Sequence, residues 1–195
     1  AALDKDGKIR DISSHVEDLN PHHLNFETIS KLQSADLSTL PEISSSERIG
    51  SCITKPGKFV AIGLNFSDHA AETGAEAPSE PIVFMKATSC INGPNDDIEI
   101  VSGSKKLDWE VELRIIIGKE TKHISEDQSQ DHILGYCLVN DISEREWQIE
   151  KMGQWVKGKS HDTYGPIGPY MVTKDEISDI NNLKMSLDVN GNKMQ

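Results

Sequence analysis

The sequence predicts an α+β fold that is mainly β, with a small N-terminal β/α unit at residues 1–56 and a larger domain at residues 57–195. Two observations support this prediction. Short apolar runs bounded by turn residues outnumber stretches with helical spacing, as is typical of strands rather than helices. A Pro56-Gly57 pair, which follows the serine run at residues 44–46, marks the connection between the two parts. With 195 residues the chain is long enough to bury a substantial core.

The N-terminal unit is predicted to start with a hairpin and to continue into a helix. Residues 2–10 contain an Asp6-Gly7 pair at the position of a tight turn between two short strands. Asn25 is a suitable N-cap for the helix that follows. That helix is predicted from apolar residues at helical spacing, which are Phe26, Ile29 and Leu32.

The larger domain is predicted to contain four strands before its C-terminal part. Gly63 ends the first of them, and Gly93-Pro94-Asn95 marks a turn after the second. Since the remaining segments leave room only for short helices, we expect a mainly β domain with mixed strand pairing. The predicted strands are residues 59–62, residues 82–85, a strand that carries Glu110 and Glu112, and residues 133–139.

The C-terminal segment predicts a final hairpin. Residues 185–189 alternate between apolar and polar side chains, and Asn190-Gly191 is a strong signal for a type I′ turn. A hairpin needs a second strand, yet the sequence stops at Gln195, and an unpaired strand edge promotes aggregation. We therefore expect further chain in the natural protein.

Composition argues against two classes of partner and favours one compartment. The net charge of −12 and the pI of about 5.0 argue against nucleic acid and against an anionic membrane surface, and no basic run overrides that average. The apolar run at residues 113–117 is far too short to span a bilayer. A cytoplasmic protein with reduced thiols is expected from the absence of a signal-peptide pattern and from three widely spaced cysteines: Cys52, Cys90 and Cys137.

Two glutamates on one predicted strand form the strongest candidate site. Glu110 and Glu112 alternate with Val111 and Leu113, so both side chains project from the same face of the strand. Neighbouring carboxylates repel each other unless one takes up a proton or a cation lies between them. Asp141, at the end of the next apolar run, is placed to supply a third oxygen ligand. Three carboxylates without a nearby Cys or His suit Mg²⁺, Mn²⁺ or Ca²⁺.

A second candidate pair is His69 with Glu72. If this segment is helical, residues three apart share a face, and the carboxylate can then orient the imidazole and raise its basicity. Such a pair can activate water by general base catalysis. The spacing alone is a weak signal, because it is common by chance.

Taken together, several blocks resemble the fumarylacetoacetate hydrolase family over about residues 58–195. Their order and spacing along the chain make the resemblance specific. The blocks are Ile62-Gly63-Leu64-Asn65-Phe66 with His69 and Glu72, Pro81-Ile82-Val83-Phe84-Met85-Lys86, Glu110-Val111-Glu112, Asn140-Asp141-Ile142-Ser143-Glu144-Arg145, and Gly158-Lys159-Ser160-His161-Asp162-Thr163-Tyr164-Gly165-Pro166.

The resemblance implies a catalytic domain built as a mixed β-sandwich or roll, in a metal-dependent homodimer that acts on small 2-oxo acids or 1,3-dicarbonyl compounds. Within the family, the chain is similar to bacterial members labelled 2,4-diketo-3-deoxy-sugar-acid hydrolase or ureidoglycolate lyase. The family's C-terminal strands and its Thr/Gly-rich active-site loop are expected to be missing from this sequence. Arg114 and His161 depart from the residues usual at their positions.

The resemblance also implies roles for single residues. Glu110, Glu112 and Asp141 match the metal ligands, which would hold Mg²⁺ or else Mn²⁺ or Ca²⁺, and His69 with Glu72 matches the pair that activates water. The remaining candidates are Lys159 for stabilising developing negative charge, Arg145 and Gln148 for facing the substrate, and Lys86 for facing the substrate or forming a salt bridge nearby. A structural ion pair with Glu144 or Asp141 is an alternative for Arg145.

Three functions are compatible with these residues. The leading one is a hydrolase that cleaves a C–C bond of a 2,4-dioxo acid to pyruvate and a carboxylic acid. The second is a lyase, decarboxylase or isomerase that acts on a 2-oxo acid or ureidoglycolate with the same metal site. The third is a non-catalytic Ca²⁺-binding protein, which would account for the carboxylates but not for Lys159 or for His69 with Glu72.

Overall fold

The computed structural model describes residues 1–66 and 78–195, and the predicted pair of His69 and Glu72 lies outside these residues. The strands of the described chain are β1 Ala2–Leu3, β2 Ile9–Arg10, β3 Val60–Gly63, β4 Ile82–Met85, β5 Ile91–Asn92, β6 Leu107–Asp108, β7 Val111–Ile117, β8 Ile133–Asn140, β9 Ser143–Glu144, β10 Gly165–Pro166, β11 Val172–Thr173, β12 Asp188–Val189 and β13 Asn192–Lys193. Its helical segments are α1 Phe26–Ser34, α2 Val156–Lys159, a π-helical turn Glu146–Glu150, and the 3-10 turns Leu37–Thr39, Thr88–Cys90, Ser129–His132, Lys174–Glu176 and Ile180–Asn182. The mainly β, α+β prediction is confirmed.

The largest sheet of the described chain has the strand order β11-β8-β7, and both pairings are antiparallel. β7 and β8 pair from Val111 opposite Asn140 to Ile117 opposite Ile133, with a register shift before Ile117. Most residues of β8 are buried, which explains its continuous apolar sequence. The two predicted strands are confirmed, although the first begins at Val111 rather than at residue 110.

The other two strands predicted for the larger domain form a hairpin of their own. β3 and β4 are antiparallel, with Val60 opposite Met85 and Gly63 opposite Ile82. β5 instead pairs with β10 in parallel, so the mixed strand pairing expected from the sequence is also confirmed. A further short antiparallel pair, β6 with β9, places Asp108 opposite Ser143.

The N-terminal unit has the hairpin and the helix that the sequence predicts. The Asp4 carboxylate accepts hydrogen bonds from the main-chain N–H groups of Asp6 and Lys8, and Gly7 has a φ of 75°, which closes the turn between β1 and β2. The Asn25 side chain accepts a hydrogen bond from Thr28 N at 2.9 Å, as expected of an N-cap.

One buried cluster contains residues from both sides of the predicted boundary at residues 56 and 57. Leu24 and Ile53 pack in it with Phe59, Cys137 and Ile142. The described residues of the N-terminal unit therefore share a core with the larger domain, and the division into two domains stays a prediction.

The three cysteines are free thiols, and Cys90 and Cys137 are buried, as predicted for Cys137. Arg114, which departs from the usual family residue, lies on β7 opposite Cys137, and its guanidinium carbon is 4.2 Å from the centre of the Phe59 ring. In the described ranges there is no helix with the length and apolar character needed to cross a membrane.

The predicted C-terminal hairpin is present and shorter than expected. β12 pairs with β13 across Asn190 and Gly191, whose φ values of 51° and 80° fit a type I′ turn. The Gln195 side chain accepts a hydrogen bond from Val111 N at 2.9 Å, which places this hairpin beside the start of β7.

Gly158 allows α2 to approach the β9 segment closely. A Cβ atom at this position would lie 2.5 Å from the Glu144 carbonyl oxygen and 2.6 Å from Gln148 N, which are main-chain atoms that cannot rotate away. We expect Gly158→Ala to lower the free energy of unfolding by about 1–3 kcal/mol, because the helix must shift. Urea unfolding followed by circular dichroism measures this change.

Gly57→Ala is the matched control. A Cβ atom at Gly57 would meet nothing within 4 Å, so the change should stay within about 0.5 kcal/mol. Equal losses for the two variants would show that close packing at Gly158 is not what holds α2 in place.

Candidate active site

The ends of β7 and β8 position the three predicted carboxylates. Glu110 lies directly before β7, Glu112 lies within it, and Asp141 follows the last residue of β8. The main-chain N–H of Asp141 donates to the Glu110 carbonyl oxygen at 2.9 Å, and the Asn140 side chain accepts from Glu110 N at 3.1 Å. These bonds hold Glu110 and Asp141 opposite each other at the end of the strand pair.

Lys159 connects two of the three carboxylates. Its side chain comes from the end of α2 and is buried. Its Nζ donates to Asp141 Oδ2 at 2.7 Å, to Ser143 Oγ at 2.8 Å and to both Glu110 oxygens at 3.1 Å. Such charge-assisted hydrogen bonds are required here, because a buried ammonium without a carboxylate would be very costly.

Arg145 contacts Glu110 from another side. Its Nη1 lies 2.5 Å from Glu110 Oε1 and donates to Gln148 Oε1 at 2.9 Å, while its Nε donates to Asp108 Oδ2 at 2.8 Å. Its side chain remains 27% exposed, compared with 2% for Lys159, so the guanidinium is the more accessible of the two cations.

Lys86 is the most enclosed cation of this cluster. Its Nζ lies 2.6 Å from Asp141 Oδ1, donates to the Ile142 carbonyl oxygen at 3.2 Å, and forms a short contact with the Lys159 carbonyl oxygen. Among the described residues no donor is aligned on Asp141 Oδ1, so the contact of Lys86 with this oxygen is an ion pair rather than a directed hydrogen bond. Burial lowers the pKa of Lys86, against the opposing attraction of Asp141.

Glu112 is the carboxylate that the three cations stabilise least. Burial, followed by the negative charges of Glu110 and Asp141, raises its pKa to about 7, and Lys159 offsets only part of this effect. A divalent cation would remove that repulsion. Glu110, Glu112 and Asp141 line one cavity, and carboxylate oxygens are the ligands that a hard metal ion prefers, so these residues fit such an ion. Within residues 1–66 and 78–195, however, no three His, Cys, Asp or Glu side chains are grouped as metal ligands.

One cavity of about 1350 Å³ is lined by the predicted site residues that fall within the described part of the chain. Its apolar lining includes Phe84 and Trp155, whose rings meet edge to face at 5.2 Å. The structure thus brings seven predicted residues together, and His69 and Glu72 lie outside the described part of the chain. The seven residues are Lys86, Glu110, Glu112, Asp141, Arg145, Gln148 and Lys159. Their individual roles stay predictions.

Two polar residues of the site, Ser143 and Asp108, are not among those predicted from the sequence. Ser143 is buried and accepts from Lys159, and Asp108 binds Arg145. The sequence contains a usable signal for both, because side chains two residues apart in an extended segment point to the same face. Asp108 precedes Glu110 by two residues, and Ser143 follows Asp141 by two residues. His161, the second departure from the family pattern, packs between Trp147 and Tyr164 with ring-centre distances of 4.9 and 5.2 Å.

Glu144 fixes the segment that precedes β6. Its buried carboxylate accepts hydrogen bonds from Lys105 N and Lys106 N, both at 3.0 Å, and makes a short contact with the Ser104 hydroxyl. Burial acts to raise the pKa of Glu144, but the hydrogen bonds from Ser104, Lys106, Glu146 and Lys105 outweigh it and lower the pKa.

Comparison with known proteins identifies the family. The model of the fumarylacetoacetate (FAA) hydrolase C-terminal domain matches residues 58–195. A relative from Burkholderia multivorans (strain ATCC 17616 / 249), which bears only a general hydrolase name, is 53% identical over 193 residues, or 99% of this chain and 68% of the relative.

Two solved structures extend this comparison. A fumarylacetoacetate hydrolase from the psychrophilic Exiguobacterium antarcticum is 30% identical with a TM-score of 0.84, over 98% of this chain and 68% of that one. A 5-carboxymethyl-2-hydroxymuconate delta-isomerase from Mycobacterium smegmatis is 36% identical with a TM-score of 0.62, over 71% of this chain and 51% of that one.

The buried Glu144 gives the protein a pH-dependent contribution to stability. A carboxyl group whose pKa is lower in the folded chain stabilises the fold above its unfolded pKa, and this contribution is lost as the pH falls through the folded pKa. We expect Glu144→Gln to cost roughly 1–3 kcal/mol at pH 7. The difference from the wild type should shrink below the ordinary pKa of 4.5. Urea unfolding at several pH values measures both effects.

Glu126→Gln replaces an exposed glutamate and serves as the control, and its free energy of unfolding should match that of the wild type at every pH measured. A Glu144→Gln penalty that stays constant down to pH 3 would contradict the proposed role of the Glu144 charge.

Proposed function

This chain belongs to the fumarylacetoacetate hydrolase family, and on that premise we propose that it is a metal-dependent hydrolase of 2,4-dioxo acids. It would cleave a C–C bond of an acylpyruvate to give pyruvate and a carboxylic acid. The observation that carries the proposal is the grouping of Glu110, Glu112 and Asp141 with Lys159 and Arg145 around one cavity. This arrangement combines ligands for a hard cation with positive side chains for an anionic substrate.

Members of this family generally use divalent metal ions. Glu110, Glu112 and Asp141 would hold the ion in this chain, and the raised pKa of Glu112 supports that assignment because a bound cation would relieve the repulsion from Glu110 and Asp141. Once bound, Mg²⁺, Mn²⁺ or Ca²⁺ would supply Lewis acidity toward the oxo groups of the substrate. Which of the three ions is used stays a prediction.

The cations of the site would favour an anionic substrate. Three carboxylates alone would repel an oxo acid, and Lys159 and Arg145 offset that negative charge within hydrogen-bonding distance. Lys159 would also stabilise the negative charge that develops as the C–C bond breaks. Gln148, which Arg145 already contacts at 2.9 Å, would orient the guanidinium toward the substrate.

His69 and Glu72 would supply the nucleophile. Glu72 would orient the imidazole, and His69 would take a proton from water while the water oxygen bonds to C4 of the dioxo acid. The electron pair of the C3–C4 bond would then move onto the pyruvate fragment as an enolate, and C4 would leave as the carboxylic acid. The proton that His69 took from water would be returned to C3 to give pyruvate. This step is proposed from the sequence match of the two residues.

A second candidate is isomerisation, decarboxylation or lyase chemistry on a related 2-oxo acid or on ureidoglycolate. The observation that favours it is the likeness to structures named as isomerases, including the Mycobacterium smegmatis protein and a 2-hydroxyhepta-2,4-diene-1,7-dioate isomerase from Mycobacterium marinum. These reactions need the carboxylates and Lys159, but they have less need of activated water. His69 therefore separates the two candidates. Whether the chain belongs to the branch labelled 2,4-diketo-3-deoxy-sugar-acid hydrolase or to the one labelled ureidoglycolate lyase would be tested with substrates of the same kinds.

The wider setting is proposed from the sequence. A homodimer in the cytoplasm would act on a small molecule, without nucleic acid or membrane as a partner. The net charge of −12 supports the last two points, because both of those surfaces are anionic. The three free thiols support a reducing compartment.

The decisive experiment measures pyruvate release from acetopyruvate and larger acylpyruvates with a lactate dehydrogenase assay. We expect release with Mg²⁺ or Mn²⁺ and its loss with EDTA. Oxaloacetate, ureidoglycolate and a muconate-type diacid are run in parallel. Turnover of one of these without cleavage of any acylpyruvate would support the second candidate. A protein that binds Ca²⁺ and turns over none of them would contradict both.

Glu110→Gln tests the metal assignment. The change removes one ligand charge and replaces one of the two oxygens that accept from Lys159 by an NH2 group, and we expect kcat/KM to fall by about 100-fold or more. Mn²⁺ affinity, followed by electron paramagnetic resonance, should fall with it. The exposed Glu126→Gln is again the control. Full activity in Glu110→Gln would rule out this residue as a ligand.

Lys159→Met tests the role of the buried cation. We expect a fall in kcat of about 10²- to 10³-fold, in the range seen when a charge-stabilising group is removed. Lys157→Met is the matched control, because Lys157 lies on the same helix with an exposed side chain.

His69→Ala should abolish acylpyruvate cleavage and spare isomerisation, so both kinds of turnover are measured on this variant.

A further inference from the structure

Lys86 is a buried lysine that lies where β4, the segment after β8 and the end of α2 meet. It directly follows β4, and only 1% of its surface is exposed. Its side chain reaches the segment after β8 and the C-terminal residue of α2. Lysines are rarely buried unless their charge is paired, so this position needs an explanation beyond packing.

The Lys86 ammonium group is enclosed by protein acceptors. An ammonium group has three N–H bonds, and three protein acceptors surround Nζ: Asp141 Oδ1 at 2.6 Å, the Ile142 carbonyl oxygen at 3.2 Å and the Lys159 carbonyl oxygen. Two of these acceptors are main-chain atoms, which cannot turn away without moving α2 or the segment that follows β8. With protein acceptors around its Nζ and only 1% of its surface exposed, Lys86 leaves little room for contact with a ligand.

Lys159 differs in this respect. Its acceptors, on Glu110, Asp141 and Ser143, are all side-chain atoms, which can reorient when a ligand enters. Asp141 divides its two oxygens between the lysines, with Oδ1 toward Lys86 and Oδ2 toward Lys159. The plane of the Asp141 carboxylate is thereby fixed from two directions.

We propose that Lys86 is a positioning residue, which orients the Asp141 carboxylate and ties the main chain of Lys159 to it, and that Lys86 does not contact the substrate. The effect of Lys86 on turnover rests on the function proposed above, whereas its link to Asp141 does not. Lys86 acts through a candidate metal ligand and through the backbone of a candidate catalytic residue. Its loss should therefore affect the rate of the chemical step rather than substrate binding.

The first test is a double-mutant cycle on stability, which needs no substrate. Lys86→Met, Asp141→Asn and the double variant are unfolded in urea. If the two residues act through each other, Lys86→Met should shift the urea midpoint less than half as far in the Asp141→Asn protein as in the wild type. Additive shifts would overturn the proposal. Lys106→Met, which removes an exposed lysine paired with Glu150, is the matched control and should be additive with Asp141→Asn.

The second test separates kcat from KM for acetopyruvate. A positioning role predicts that Lys86→Met lowers kcat by about tenfold or more and leaves KM within about threefold. A raised KM with an unchanged kcat would show a substrate contact and overturn the proposal. If the wild-type protein releases no pyruvate, the proposed hydrolase function fails, and the urea cycle alone decides the role of Lys86.

A third measurement uses only the wild-type protein and therefore does not depend on whether Lys86→Met folds. The wild-type protein is acetylated with acetic anhydride, and the labelling rate of each lysine is read by mass spectrometry. Lys86 should react at least about tenfold more slowly than Lys106, because its ammonium is buried and paired. Equal labelling rates would show that Lys86 is accessible and would overturn the proposal.

Discussion

The structure of the site depends on the pairing of a half-buried and a buried carboxylate with two buried ammonium groups. Lys159 donates to Glu110 and Asp141, and Lys86 contacts the other oxygen of Asp141. Each of these groups alone would be costly to bury, and together they are tolerated. Because the partners come from β4, the start of β7, the end of β8 and the end of α2, the ion pairs also fix how these elements meet. The pairing that makes burial possible therefore also determines the shape of the site.

Strand register is the second constraint on the site. Glu112 lies opposite Val139, and side chains alternate between the two faces of the sheet. A slip of one residue between β7 and β8 would turn Glu112 away from the cavity and would expose residues that now pack in the core. The main-chain bond from Asp141 to the Glu110 carbonyl oxygen, at 2.9 Å, supports this register at the end of the pair. Core packing and the alignment of the carboxylates are thus set by the same pairing.

Local sequence was sufficient to predict the strands and the turn of the last hairpin. Apolar runs became β3, β4 and β8, the alternating segment around Glu112 became β7, and Asn190-Gly191 formed the expected turn, because these features depend on neighbouring residues. The role of Lys86 could not be predicted in this way, since its hydrogen-bond partners lie 56 and 73 residues away in sequence. The π-helical turn Glu146–Glu150 also lacks a periodic signal. The contacts of Lys86 become visible only once these distant segments are packed together.

The electrostatics of the cavity explain why a metal ion and an anionic substrate are compatible here. Lys86, Lys159 and Arg145 already neutralise much of the negative charge of Glu110 and Asp141, and Glu112 remains the carboxylate with the raised pKa. A divalent cation would therefore add positive charge to a nearly balanced cluster rather than to a strongly acidic one. The resulting excess of positive charge would attract an oxo acid. If the proposed metal ion binds, these balanced ion pairs would make the affinity for an anion depend on that ion.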